Sequence, residues 1–282
     1  MNAVQIGPLA LPTAPLPWLA ALLVAWLLIP RLTRWIPGAA AGLADEARRT
    51  RLRQAEDIVW GAAAIGFGVS RAAFVALHWD AYASFPWSIV DLRDGGWAPW
   101  PGLAAATLWV GTKARRAAGI RRALSAGAAA ATLAGLGVWL SVGTPRDQNV
   151  PSIELATLQG QTARLDHIVG DKPAVINLWA SWCAPCRVEM PALAAQAEAQ
   201  PGVRFLFVNQ GERPDAIQRY LHAQDFQLDG VWLDPAARLG PAVGSRGLPT
   251  TLFVDAKGHV VHVHMGILNQ AAIRARLATL KR

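Results

Sequence analysis

Two cysteines occur in the 282 residues, and they stand three apart, as Cys183-Ala184-Pro185-Cys186. A pair at this spacing can form half of a zinc site or a redox-active dithiol. A structural zinc ion takes about four ligands, and the chain has no second cysteine pair to complete the set. The chemistry favoured is thiol-disulfide exchange: one thiolate attacks a disulfide sulfur, and the second thiol resolves the mixed disulfide. That chemistry needs one sulfur exposed and activated and the other held behind it.

The flanking sequence predicts such an arrangement. A buried strand at 174–180 runs into Ser181-Trp182-Cys183, and an amphipathic helix follows over 188–199. Cys183 then sits at a helix N-terminus, where unpaired amides and the helix dipole favour thiolate over thiol. Pro185 is tolerated there because first-turn amides have no intrahelical partner. Cys186 lies one turn inward, placed to attack a mixed disulfide.

Further elements read as a hairpin over 153–158 and 162–165, strands at 204–209, 230–233, 251–255 and 260–264, and helices at 214–223, near 235–239 and at 270–280. Strands alternating with helices and closing on a hairpin describe an α/β sheet. His262 and His264 share a strand face. Two imidazoles supply half of a zinc shell, so the pair is read as surface polarity and no metal is expected.

Asn177-Leu178-Trp179-Ala180-Ser181-Trp182-Cys183-Ala184-Pro185-Cys186-Arg187-Val188-Glu189-Met190-Pro191, with Gly247-Leu248-Pro249-Thr250-Thr251-Leu252-Phe253-Val254-Asp255, resembles the membrane-tethered TlpA/ResA branch of thioredoxins. The resemblance spans essentially all of 150–282. It implies an α/β thioredoxin-like fold with a cis peptide before Pro249, packed against the cysteines. It also implies substrate contacts at Trp182, Leu248 and Pro249, with the Leu248 backbone pairing to substrate as an added strand. The implied activity is that of an extracytoplasmic disulfide reductase, often serving cytochrome c maturation, with no cofactor beyond the Cys183–Cys186 pair. Where ordinary thioredoxin has a buried aspartate, this chain has Asn177. An amide cannot accept the proton leaving Cys186, so water or another group, such as Glu189, would serve. The plainer reading of Asn177 is a structural hydrogen bond; Glu189 reads equally as a supporting site residue or as an exposed helix residue.

The first half differs in character. It holds ten of the thirteen tryptophans and long Ala/Leu/Val/Gly runs. Its fourteen Lys/Arg outnumber eight Asp/Glu, which accounts for six of the eight net positive charges. Eleven of those fourteen fall in two hydrophilic stretches, Arg31–Arg53 and Lys113–Arg122. Such clusters between apolar segments fit cytoplasmic loops under the positive-inside rule better than a nucleic-acid stripe. Four apolar segments, at about 7–30, 58–79, 97–112 and 123–143, are compared with the ~20 residues that cross a bilayer. The expectation is an all-α membrane domain of about four transmembrane helices over 1–143, a linker over 144–152 and the redox domain over 153–282. With both basic stretches inside, the loop 80–96 and the redox domain lie on the outer, oxidising side of a bacterial inner membrane.

Residues 5–10 and the run from Gly66 through Arg71 to Asp94-Gly95-Gly96 resemble the front half of prolipoprotein diacylglyceryl transferase. Trp100 stands where that family has a functional histidine, and indole cannot replace imidazole in proton transfer. Transfer activity is therefore not expected. Arg71, inside an apolar segment, has two readings of equal weight: a lipid-headgroup site, or a side chain that snorkels or pairs with Asp80 or Asp94. The tryptophans read as interfacial anchors. Without cysteines this half cannot relay electrons by thiol exchange, so a separate membrane reductant, of the DsbD type on family grounds, is implied. The readings kept beside the reductase are an oxidase or isomerase using the same cysteines, and a lipid- or lipoprotein-binding membrane module carrying a redox domain.

Overall fold

A computed structural model describes residues 3–6, 9–12, 16–36, 43–142, 148–225, 228–245 and 247–280. By contact the chain divides into two compact units. One gathers residues 1–13, 78–95 and 144–282; the other holds 14–77 and 96–143. The segment 78–95, between two long helices in sequence, thus belongs with the C-terminal half.

In the helical unit, α1 (Leu16–Trp35), α2 (Asp45–Leu77), α4 (Pro99–Arg116) and α5 (Arg121–Val142) pack together. Among the described residues three helices are long and apolar enough to cross a membrane: α1, α2 and α5 up to Ser141. The third expected segment falls short as α4, 18 residues ending on Lys113, Arg115 and Arg116. The first segment also shifts, since the helix begins at Leu16 and the residues before it include the hairpin β1 (Ala3–Ile6) and β2 (Leu9–Pro12). At 33 residues α2 is about 50 Å long, so its charged first turns extend well past the apolar length at 58–77. Glycines let α2 and α4 approach closely: a Cβ on Gly102 would stand 2.5 Å from the Gly66 carbonyl oxygen. Close contact through small residues is how helices pack where no hydrophobic effect drives them together.

The other unit is built on an eight-stranded sheet in the order β3-β10-β9-β6-β7-β8-β4-β5. These strands are β3 (Gln148–Asn149), β4 (Glu154–Ala156), β5 (Thr162–Arg164), β6 (Ala174–Trp179), β7 (Arg204–Gln210), β8 (Val231–Asp234), β9 (Thr250–Val254) and β10 (His259–Met265). The β6–β7 and β7–β8 pairs are parallel and the others antiparallel. Helices cover both faces, as the two apolar cores show. Val175, Trp179, Phe207 and Phe253 pack with residues of α7 (Ala184–Ala199), α8 (Pro214–Ala223) and α10 (Gln270–Leu280). Ile176, Leu178, Leu206 and Leu252 pack with residues of α6 (Leu165–Val169) and with Leu239 of α9 (Leu239–Ala242). This is the thioredoxin-like arrangement, with β6 at its centre and every β6 residue buried.

Two local expectations change. Gln148 and Asn149, inside the stretch read as linker, pair with Val260 and His259 as an edge strand; residues 144–147 lie outside the described ones. The helix expected near 235–239 starts at Leu239, because a turn at Asp234–Ala237 comes first and the Asp234 carboxylate accepts the Leu239 amide at 2.8 Å.

Candidate active site

The central strand delivers the chain to the front of the sheet, and α7 begins there. Alternation along β6 points Val175, Asn177 and Trp179 to the α7 face. Cys183 is the N-cap of α7, with Pro185 in the first turn; its sulfur accepts the Cys186 amide at 3.2 Å. Cys183 and Cys186 form a disulfide, with an S–S distance of 2.06 Å. Cys183 retains 4 % of its surface and Cys186 none. Trp182, just before the pair, is 71 % exposed.

Behind Cys186 lies a buried polar row. Glu189, one turn further along α7, is 1 % exposed and accepts two hydrogen bonds, from Asn177 Nδ2 at 2.6 Å and from the Leu268 amide at 2.9 Å. Asn177 Nδ2 also reaches Thr251 Oγ1 at 3.0 Å. Burial pushes the Glu189 carboxyl up to about 7, and the two hydrogen bonds, which favour the charged form, oppose that rise. A group titrating there can hold or release a proton near neutral pH. Of the two readings of Glu189, the exposed helix residue is excluded: the side chain is buried and the 266–269 turn covers it. Asn177 takes the structural role expected of it.

The Leu248–Pro249 peptide is cis. Pro249 is buried, Leu248 half-buried and packed against both cores. The approach to the bond is pinned: Thr250 Oγ1 donates to the Gly247 carbonyl at 2.7 Å, and the Gly266 amide donates to the Pro249 carbonyl at 2.9 Å.

The AhpC/TSA family matches residues 147–263. DsbE of Pseudomonas fluorescens biotype C, a thiol:disulfide interchange protein, is 34% identical over 130 residues, covering 45% of this chain and 71% of that one. The chain belongs to the thiol:disulfide interchange proteins. HelX of Rhodobacter capsulatus, also named a thiol:disulfide interchange protein, is 31% identical over 134 residues, 47% of this chain and 75% of its own. The thiol-disulfide oxidoreductase ResA of Bacillus subtilis is 28% identical over 135 residues, 47% and 74%. As an interchange protein the chain is a thiol-disulfide oxidoreductase acting on disulfide-bearing partners.

One residue of this interchange protein escaped sequence reasoning. Glu212, on the loop after β7, accepts the Ser181 amide at 2.6 Å and the Ser181 hydroxyl at 2.5 Å, and Asn209 Nδ2 at 2.7 Å. It fastens the turn that presents Trp182 and Cys183. The signal available was Asn209-Gln210-Gly211-Glu212 at the end of a buried strand, where a polar cluster needs partners. Among the described residues no three His, Cys, Asp or Glu side chains converge as a metal site would require. His262 and His264 are not surface polarity either. His264 is buried, and in both rings Nε2 is enclosed without a hydrogen-bond partner among the described residues. Arg71 lies in the helical unit, buried, and donates to the Gly96 carbonyl at 2.9 Å.

Proposed function

We propose that the protein is a membrane-anchored, extracytoplasmic disulfide reductase working through Cys183 and Cys186. The observation that carries this is a disulfide at the start of α7 over a buried acid: Cys183 caps the helix and keeps 4 % of its surface, Cys186 keeps none, and Glu189 lies one turn on. In the reduced enzyme the Cys183 thiolate attacks a substrate disulfide, forming a mixed disulfide and releasing one substrate thiolate. Cys186 gives its proton to the Glu189 carboxylate and attacks the Cys183 sulfur, releasing the second substrate thiolate. Two electrons pass to the substrate, and the enzyme is left as the disulfide. The Leu248 peptide groups take no backbone hydrogen bond among the described residues, which leaves them for an extended substrate strand beside Trp182 and Pro249. A dithiol on a separate membrane protein of the DsbD type would restore the thiols, with no further cofactor. Cysteines of a cytochrome c maturation pathway are the substrate class that the family resemblance favours.

The anchor reading draws on parity. The segment 78–95 and the redox fold belong to one unit, so they share one side of a bilayer, and α4 and α5 between them cross twice or not at all. Since α5 has the length and apolarity to cross, α4 crosses with it. Four crossings then put the redox fold outside, opposite the basic stretches. Substitution of Cys186 by Ser should trap the substrate as a mixed disulfide on Cys183. Absence of any trapped partner in cells would count against the enzyme reading, and a measured potential near about −120 mV would overturn the reductase direction.

A second reading, lipid binding by the helical unit, is favoured by a cavity of about 110 Å³ lined by Trp18, Ile29, Val59, Phe67, Leu103 and Val110. Arg71→Ala that leaves the phospholipid carried through purification unchanged would end it.

A further inference from the structure

The segment 78–95 does more than join two helices. It contains α3 (Trp79–Ala83) and two short 3-10 turns, and α3 packs on α10 of the redox fold. Tyr82 and Asp94 are fully buried, and Tyr82 Oη donates to Asp94 Oδ2 at 2.6 Å. The Arg274 guanidinium stands 5.1 Å over the Phe85 ring, and a Cβ on Gly95 would touch the His264 ring at 3.5 Å. The charge of Asp94 also bears on Arg276, half-buried on α10.

The contact nearest the active site is made by Asn269. Its Nδ2 lies 3.5 Å from Asp91 Oδ2 and 3.4 Å from Asp94 Oδ2, while its Oδ1 caps α10 by accepting the Ala272 amide at 2.8 Å. The preceding residue, Leu268, is the one whose amide donates to Glu189. Both ends of the Asn269 side chain are thus committed, one to the segment and one to the helix, and the peptide before it carries the hydrogen bond to the buried acid.

We propose that Asn269 is a positioning residue: by binding Asp91 and Asp94 it docks the segment 78–95 on the redox fold and holds the Leu268 amide on Glu189. This rests on the reading of Glu189 as the proton acceptor for Cys186. The segment 78–95, which lies between α2 and α4 in sequence and has no cysteine of its own, thereby acts on the chemistry of the pair. Groups around Glu189 are Cys186 on its own helix, Asn177 and behind it Thr251 on the sheet, and the Leu268 amide; no charged side chain figures among the causes of its shift. His262 and His264, nearer the segment, are held neutral by burial, with His264 at about 4. They stay uncharged while Glu189 titrates.

The test uses the full chain in detergent. Asn269→Asp preserves the helix cap, since aspartate caps as well as asparagine, but removes the donor and sets a third carboxylate against Asp91 and Asp94. Two quantities are read: amide hydrogen exchange over 78–95, and the pH midpoint for reaction of the reduced protein with oxidised glutathione. Exchange over 78–95 is expected to accelerate. The midpoint is expected to rise by up to about one pH unit, because a carboxylate that loses a hydrogen bond to its charged form becomes a weaker acid. Asn269→Asp combined with Asp91→Asn restores a donor–acceptor pair and should recover both readouts in part. Arg274→Gln, which leaves the 266–269 turn untouched, should accelerate exchange over 78–95 as well.

Unchanged exchange in Asn269→Asp and Arg274→Gln would overturn the docking. An unmoved midpoint in Asn269→Asp, where Glu189→Gln does move it, would overturn the coupling to the active site. An unmoved midpoint in Glu189→Gln itself would instead refute the role of Glu189, and with it the coupling, leaving the docking to be decided by exchange.

Discussion

Cys183 caps α7 while Cys186 lies inside its first turn with no exposed surface, so the proposed reaction has Cys183 attack first. Cys183→Ser is expected to abolish disulfide exchange, whereas Cys186→Ser should still form a mixed disulfide and fail to release it. Non-reducing gels separate the two outcomes. Glu189 makes a prediction of a different sort. Its carboxyl is raised from about 4.5 to about 7 by burial, so the folded state binds the proton more tightly than the unfolded one. The stabilisation is complete below about 4.5 and is lost as pH rises through about 7. That amounts to roughly 3 kcal/mol at most. Thermal melts of the wild type should therefore fall over this window relative to Glu189→Gln, which cannot titrate. The same substitution should slow resolution of the mixed disulfide by about 100-fold near neutral pH, and a rate unchanged by it would remove Glu189 from the mechanism.

The elements carrying these residues were readable to different degrees. β6, α7, α8 and α10 follow from apolar runs and helical periodicity, and all four are found close to where the sequence puts them. The cis peptide before Pro249 came from motif resemblance and is present. The burial of Glu189 was not legible, because three residues after Cys186 looks like a helix position open to water until the distant 266–269 turn closes over it. The role of Glu212 was hidden for the same reason, since its partner Ser181 is 31 positions away. Glu212→Ala should leave the Ser181 donors without their acceptor and cost about 1–3 kcal/mol, with faster amide exchange at Ser181. Glu212→Gln keeps an acceptor oxygen and should recover part of the loss. Equal melts for wild type and both variants would mean the turn holds itself.

At the scale of the whole chain, three helices among the described residues have the length and apolarity of spans, where the sequence suggested four segments. The difference lies in α4, whose basic last turn shortens its apolar run. Parity requires α4 and α5 to cross together if α5 crosses. Single cysteines introduced at Ser88 and at Thr50, in a chain with Cys183 and Cys186 both changed to serine, should label from opposite sides of the membrane with an impermeant maleimide. Labelling from the same side would break the proposed four-crossing topology.

The segment 78–95 also has a history in time. Asn269 follows Asp91 by 178 residues, so at about 5–20 residues per second the segment emerges on the order of ten seconds before its partner has been synthesised. During that interval Tyr82, Phe85 and Asp94 lack the α10 surface they later pack against. Docking therefore closes only when α10 is complete. A chain ended after Gly266 should keep this segment open to protease, while the full chain resists cleavage there.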